Sequence, residues 1–326
     1  EDKDQLMFYK EDKHGQILQE GINEAGAMCD WMAAATSYST HDVPMIPFYI
    51  FYSMFGFQRV GELAWAAGDM RCRGFLLGGT AGRTTLNGEG LQHEDGHSHQ
   101  ISATVPNCVS YDPTFAYEIA VIIQDGLRRM YAKQEDVYYY LTVMNENYRH
   151  PAMPGGAAPS IIKGMYLFRA GKKTPNALRV QLLGSGTIFN EVIETAALLR
   201  RDWGVDADLW SCPSFTELAR EGMAVARHNL LNPSGKPRIS HVAQCLDETE
   251  GPVIAATDYV RGFADQIRAY VPPRYVVLGT DGFGRSDTRE KLRRFFEVDR
   301  HYITVAALRA LAEEGSLPPA RVIDAM

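Results

Sequence analysis

Cysteine is scarce and scattered in this 326-residue chain: Cys29, Cys72, Cys108, Cys212 and Cys245 are odd in number and never spaced as CxxC. That excludes a disulfide framework and a thiolate zinc site, and it is the usage of a reducing, cytoplasmic setting. No apolar run approaches the length that crosses a bilayer, and the acidic start from Glu1 to Asp4 is no signal peptide, so no membrane role is expected. Excess positive charge is missing too. A net charge of −7 argues against a broad nucleic-acid surface, which needs clustered Lys and Arg. Internal repeats and low-complexity tracts are absent as well.

What remains is a globular composition, 45% hydrophobic and 22% charged, with room for two domains. The first half alternates helical and strand-like signals. Apolar residues at helical spacing from 17 to 36 predict a helix, and the bulky run from Met45 to Tyr52 starts like a strand. A helix is expected from Arg59 to Ala67 and a short buried strand over Phe75–Gly79. Cys108–Tyr111, a helix from Thr114 to Tyr131, and Val137–Val143 complete a βαβ rhythm. The stretch from His150 to Pro159, rich in Pro and Gly, sets a domain boundary, giving units of 1–155 and 156–326.

The second half restarts the pattern. Strands are expected at Arg179–Leu183, Asp206–Cys212, Val253–Ala256 and Tyr275–Gly279, and helices at Ile188–Arg201, Tyr259–Tyr270 and Thr304–Glu314. The alternation predicts an α/β fold with two doubly wound, mostly parallel sheets. Gly184-Ser185-Gly186 lacks the third glycine and the distant acidic residue of a dinucleotide turn. The basic run Arg289–Arg294 reads as a solvated helix face.

Three of the nine histidines, His93, His97 and His99, fall within seven residues beside Glu94, Asp95 and Gly96. Glycine breaks regular structure and unpaired charge is costly to bury, so the stretch from Thr84 to His99 reads as a loop of proton-carrying groups. Acid/base catalysis, a zinc site and plain solvation are all open to it from composition alone. By itself Glu24 reads as a solvated helix-start carboxylate favoured by the macrodipole, and the aromatic run from Phe48 to Phe57 as core.

Longer blocks narrow these choices. Gln16–Gly26, Tyr52–Arg59, Thr85–His99, Asn145–Tyr148, Ser214–Leu218 and Leu278–Asp287 together resemble one family, in order, from about Tyr9 to Asp324. It is the homodimeric-type pyruvate dehydrogenase decarboxylating component, a thiamine-diphosphate enzyme of the transketolase-like superfamily. The resemblance covers the pyrimidine-binding domain, without its first strand or so, and the C-terminal domain. The family's GDG-then-Asn segment, which holds the diphosphate and Mg2+, has no counterpart here, so those ligands are expected in an N-terminal domain outside this chain.

The resemblance implies that Glu24 hydrogen-bonds the cofactor's pyrimidine nitrogen, in a desolvated setting. It implies that Phe55 stacks on that ring, that Tyr52 edges the substrate pocket, and that Arg59 supplies positive charge for a carboxylate. His93 and His99 are the implied catalytic histidines, with Glu94 and Asp95 orienting their loop and the role of His97 open. The implied reaction is decarboxylation of pyruvate with acetyl transfer to a lipoyl group on a dihydrolipoyl acetyltransferase. A homodimer, or assembly with a diphosphate-binding chain, is expected. Two rivals remain, an enzyme for another 2-oxo acid and a split fragment inactive without its partner.

Overall fold

The computed structural model describes residues 12–271 and 274–326; the acidic start and the beginning of the resemblance at Tyr9 lie outside the described residues. The first unit runs α1 (Glu24–Thr40), β1 (Phe48–Tyr52), α2 (Phe57–Asp69), β2 (Phe75–Gly79), α3 (Ser98–Ala103), β3 (Cys108–Tyr111), α4 (Ala116–Leu127) and β4 (Tyr138–Thr142). Its strands form a four-stranded sheet in the order β1-β2-β4-β3, with every pairing parallel. Aromatic and β-branched residues favour a pleated, covered surface, and β4 is buried along its whole length. Tyr138 and Tyr140 pack with Trp31 and Phe57 on one face, while Tyr139 and Leu141 pack with Phe75 and Ile122 on the other.

The second unit continues with α5 (Ala158–Lys163), β5 (Tyr166–Arg169), β6 (Arg179–Gly184), α6 (Ile188–Leu198), β7 (Asp206–Ser211) and α7 (Phe215–Leu231). Then follow α8 (His241–Leu246), β8 (Val253–Ala256), α9 (Arg261–Asp265), β9 (Tyr275–Leu278), α10 (Arg289–Phe295), α11 (Arg300–Glu313) and α12 (Pro319–Ala325). The sheet order is β5-β7-β6-β8-β9, parallel except for the edge strand β5, which runs antiparallel to β7. The α/β fold of two covered, mostly parallel sheets is therefore as the alternation predicts.

Six helices and strands were not anticipated: α3 within the histidine stretch, α12, the short β5 and α8, α5 in the Pro/Gly stretch, and α7, a 17-residue helix whose exposed positions include Met223, Leu230 and Leu231. The helix expected over Tyr259–Tyr270 is shorter. The Val260 N–H donates to Gly96 O at 2.8 Å, so this segment is committed to the other unit before α9 begins at Arg261. Arg289–Arg294 is a helix, but not a solvated face throughout. Arg293 is buried and paired with Glu146 and, at 3.5 Å, Glu191.

Polar seams join the units. Glu118 is fully buried and accepts from Tyr166 Oη at 2.6 Å, Ser211 Oγ at 2.7 Å and the Phe115 N–H at 3.0 Å. Arg220 of α7 reaches Cys108 O at 2.6 Å and Val105 O at 2.8 Å. Ser214 accepts from the Glu217 N–H at 3.0 Å, capping α7, and donates to Ser110 O at 2.6 Å. Losing a cap and a buried partner together should cost about 1–3 kcal/mol. Ser214→Ala is therefore expected to lower the urea midpoint at unchanged slope, measured by equilibrium unfolding.

Candidate functional site

The Asn23 side chain accepts from the Gly26 N–H at 3.1 Å, which starts α1 and leaves Glu24 in its first turn. Arg59 of α2 comes to 3.2 Å from Glu24 Oε1, and its guanidinium also lies 4.1 Å from the centre of the Phe55 ring. The carboxylate is thus paired rather than desolvated alone, because α2 presents a cation to the start of α1. β1 ends at Tyr52, and a single 3-10 turn, Ser53–Phe55, carries Phe55 beside it.

His93 closes this group from another part of the chain. Its ring meets Tyr52 edge-on at 5.4 Å and Phe55 at 5.1 Å between centroids. His93 Nδ1 lies 3.1 Å from Glu89 Oε2, yet the angle makes no hydrogen bond, and that nitrogen is shielded from solvent without a partner. The structure therefore brings Glu24, Tyr52, Phe55, Arg59 and His93 into one continuous patch.

His99 is elsewhere. It lies inside α3, fully buried, with Phe263 stacked at 4.7 Å and Tyr259 edge-on at 4.8 Å. Thr142 Oγ1 donates to Asp112 Oδ1 at 2.7 Å, so His99 Nε2 must donate to Thr142 Oγ1 at 2.9 Å, and Nδ1 accepts from Ser110 Oγ at 2.6 Å. Burial pushes the imidazole down to about 4, which keeps it neutral.

The histidine stretch is not a solvated loop, one of the three readings that its composition leaves open. Asp95 is buried and accepts from the His97 N–H at 3.0 Å, the Ser98 N–H at 2.9 Å and Gln58 Nε2 at 3.0 Å, and it nucleates α3. Those partners supply what burial of a carboxylate requires. Glu94 is buried as well, its carboxyl pushed up to about 7 chiefly by burial, opposed by the Arg285 N–H at 2.6 Å. Among the described residues no three His, Cys, Asp or Glu side chains are grouped to hold a metal ion. Nor is any helix there long and apolar enough to cross a membrane.

Two buried carboxylates escaped the sequence reading. Asp112 accepts from Thr142, from Ser185 Oγ at 2.7 Å and from Tyr259 Oη at 3.2 Å, and burial raises it to about 7. Asp258 accepts from Thr84 Oγ1 at 2.7 Å and Thr85 Oγ1 at 2.8 Å, and burial raises it to about 6. Each follows the carboxyl end of a strand, the edge where open α/β sheets build their sites, and that position was the available signal. Gly82, at φ +87°, faces Asp258 so closely that a side chain there would collide with its carboxylate.

Residues 1–151 match the family described as the pyruvate dehydrogenase E1 component middle domain, and residues 164–299 the transketolase-like TK C-terminal domain. The chain is 73% identical over its full length to a pyruvate dehydrogenase E1 component of Cupriavidus necator, and it covers 36% of that protein. It is 66% identical to the Pseudomonas aeruginosa protein of that name, covering 37%, and 59% to that of Escherichia coli K12, covering 36%. The chain thus spans little more than a third of the length of these relatives. Among solved structures, a Campylobacter jejuni transketolase aligns at TM-score 0.64 with 16% identity, over 85% of this chain and 38% of that one. A split-gene transketolase, described as an inactive β4 tetramer, aligns at TM-score 0.60 with 16% identity, over 90% of this chain and 83% of that one. Both show the shared fold.

The Glu94 titration gives a directional expectation. Its carboxyl titrates at about 7 when folded and near 4.5 when unfolded, so between those values the unfolded chain holds fewer protons and stability falls as pH rises. Glu94→Gln should therefore gain in thermal midpoint over the wild type progressively from pH 5 to pH 8. His99 works the other way: its low folded value makes stability fall as pH drops from 6.5 through about 4.

Proposed function

The chain carries the middle and C-terminal domains of the pyruvate dehydrogenase E1 family and so belongs to it, and from that premise we propose that it forms one wall of a thiamine-diphosphate site. The activity proposed is decarboxylation of pyruvate with reductive acetylation of a lipoyl group. The observation that carries the reading is the convergence of Glu24, Tyr52, Phe55 and His93, from three separate sequence blocks, on one patch. A carboxylate, an aromatic face and a shielded imidazole nitrogen with no partner suit a flat heteroaromatic ring and a polar reactant beside it.

The chemistry that thiamine diphosphate supplies when bound is a nucleophilic carbon with an electron sink beside it. Glu24 would hold a pyrimidine ring nitrogen of that cofactor, and Phe55 would fix the ring by stacking. Tyr52 edges the pocket, and Arg59 offers charge both to Glu24 and to the carboxylate of a 2-oxo acid. His93 moves a proton near the transferred group, a role that suits imidazole near neutral pH. His99, neutral and enclosed, serves as a positioning residue through Thr142 and Ser110.

In this proposal the diphosphate and Mg2+ are held by a separate domain, supplied by a second protomer or another chain. Edge strand β1 is the natural face for it: Phe48, Ile50 and Tyr52 are 44%, 69% and 48% exposed on its outer side. The division between the two units is placed at residues 155 and 156, the setting is cytoplasmic, and the acyl acceptor is the lipoyl group of a dihydrolipoyl acetyltransferase. A second reading stands beside the first, a piece inactive without a separate diphosphate-binding domain.

Calorimetry with thiamine diphosphate and Mg2+ separates the two readings. Weak or no binding is expected for this chain alone, and binding after a diphosphate-binding domain is added; tight binding alone sinks the second reading. In the completed enzyme Glu24→Gln should cut turnover by roughly 100-fold or more at unchanged circular dichroism. Unaltered turnover would falsify the assignment.

A further inference from the structure

His93 sits on a single 3-10 turn, Leu91–His93, too short to fix a side chain by itself. Hydrogen bonds from the other unit flank this turn. Glu94, the next residue, accepts from the Arg285 N–H at 2.6 Å. The Gly88 N–H donates to Asp287 O at 3.1 Å. Arg83 donates to Thr280 O at 2.6 Å and also to Gly282 O. These four partners, Thr280, Gly282, Arg285 and Asp287, lie in residues 280–287, the segment after β9.

Gly284 shows how closely the segments approach. A Cβ there would lie 2.8 Å from the Glu94 Cβ and 3.1 Å from Leu91 O, so any side chain would wedge the turn away. Glu94 Oε1 has no hydrogen-bond partner although it is buried. Leaving a buried polar atom unpaired is unfavourable, so Glu94 is a poor choice for packing alone. Its one bond, across to Arg285, accounts for a carboxylate at this position.

We propose that segment 280–287 of the second unit positions His93, with Glu94 and Gly284 as the points of grip. On the far side, Tyr52 and Phe55 abut the ring, so the imidazole is held between the aromatic corner of one unit and a clamp from the other. The functional weight of this clamp rests on the reading of His93 given above. Glu94 and Gly284 are positioning residues, acting through His93 and not on the reactants.

The test uses the full 326-residue chain with its histidine rings labelled for NMR, the His93 signal being identified by its loss in His93→Gln. Glu94→Ala and Gly284→Ala should both move that signal out of the ring-current field of Tyr52 and Phe55, and Glu94→Gln, which keeps an acceptor for Arg285, should leave it in place. An unmoved signal in both alanine variants overturns the proposal. Amide exchange in the wild-type chain needs no variant: Arg285 should exchange slowly, and exchange at open-loop rates also overturns it. In the completed enzyme the alanine variants should slow transfer to a lipoyl acceptor roughly 10-fold, while decarboxylation coupled to a small chemical oxidant changes little. If His93→Ala leaves lipoyl transfer intact, the functional reading of His93 fails, while the clamp is judged by the NMR signal alone.

Discussion

Asp112 is fully buried between the two sheets, and most of the architecture around the site is referred to it. Its carboxylate takes hydrogen bonds from Thr142 at the end of β4, Ser185 in the turn after β6 and Tyr259 after β8. Its backbone joins in, donating to Pro213 O at 2.7 Å and accepting from the Gly186 N–H at 3.2 Å. One side chain thereby ties together the carboxyl ends of strands from both sheets. Three donors compensate for burial that would otherwise be prohibitive, and the residual desolvation is visible in its raised titration.

The fixed orientation spreads outward from there. Because Thr142 gives its proton to Asp112, it can only accept from His99, which sets the imidazole tautomer and leaves Nδ1 to accept from Ser110. His99 in turn stacks on Phe263 of α9, so α3 is pinned against the second unit. The turn bearing His93 leads directly into α3 through Asp95. A hydroxyl at position 142 therefore influences where a histidine nearly fifty residues earlier can stand, through packed and hydrogen-bonded neighbours. Networks of this kind stabilise a unique arrangement only when every member is satisfied.

Much of this is legible in the sequence, and the boundary of legibility is physical. The strands at Phe75–Gly79, Cys108–Tyr111 and Val253–Ala256 are buried on both faces, so an apolar run between breakers marks them with little ambiguity. α7 was missed because its buried positions, among them Phe215, Leu218 and Gly222, are mixed with exposed apolar residues such as Met223, Leu230 and Leu231, which blurs the helical period. Arg293 was misjudged because a guanidinium looks solvated in sequence; its partners Glu146 and Glu191 come from distant segments that periodicity cannot pair. The five residues of the patch came from resemblance to a family, since no local pattern says that Glu24 and His93 face the same space.

The two histidines show how little side-chain type decides by itself. His93 and His99 lie six positions apart in the chain. One is enclosed by aromatic rings and two hydroxyls and is held neutral, so it cannot exchange a proton without breaking the seam between the sheets. The other keeps a ring edge between Tyr52 and Phe55, beside the Glu89 carboxylate. The enclosed histidine anchors α3, and the turn of the other leads into that helix. That division needs both units, because His99 is gripped by Phe263 and the turn of His93 by the segment around Arg285. A first unit cut away from the second would retain the residues of the patch and lose the constraint that sets their distances.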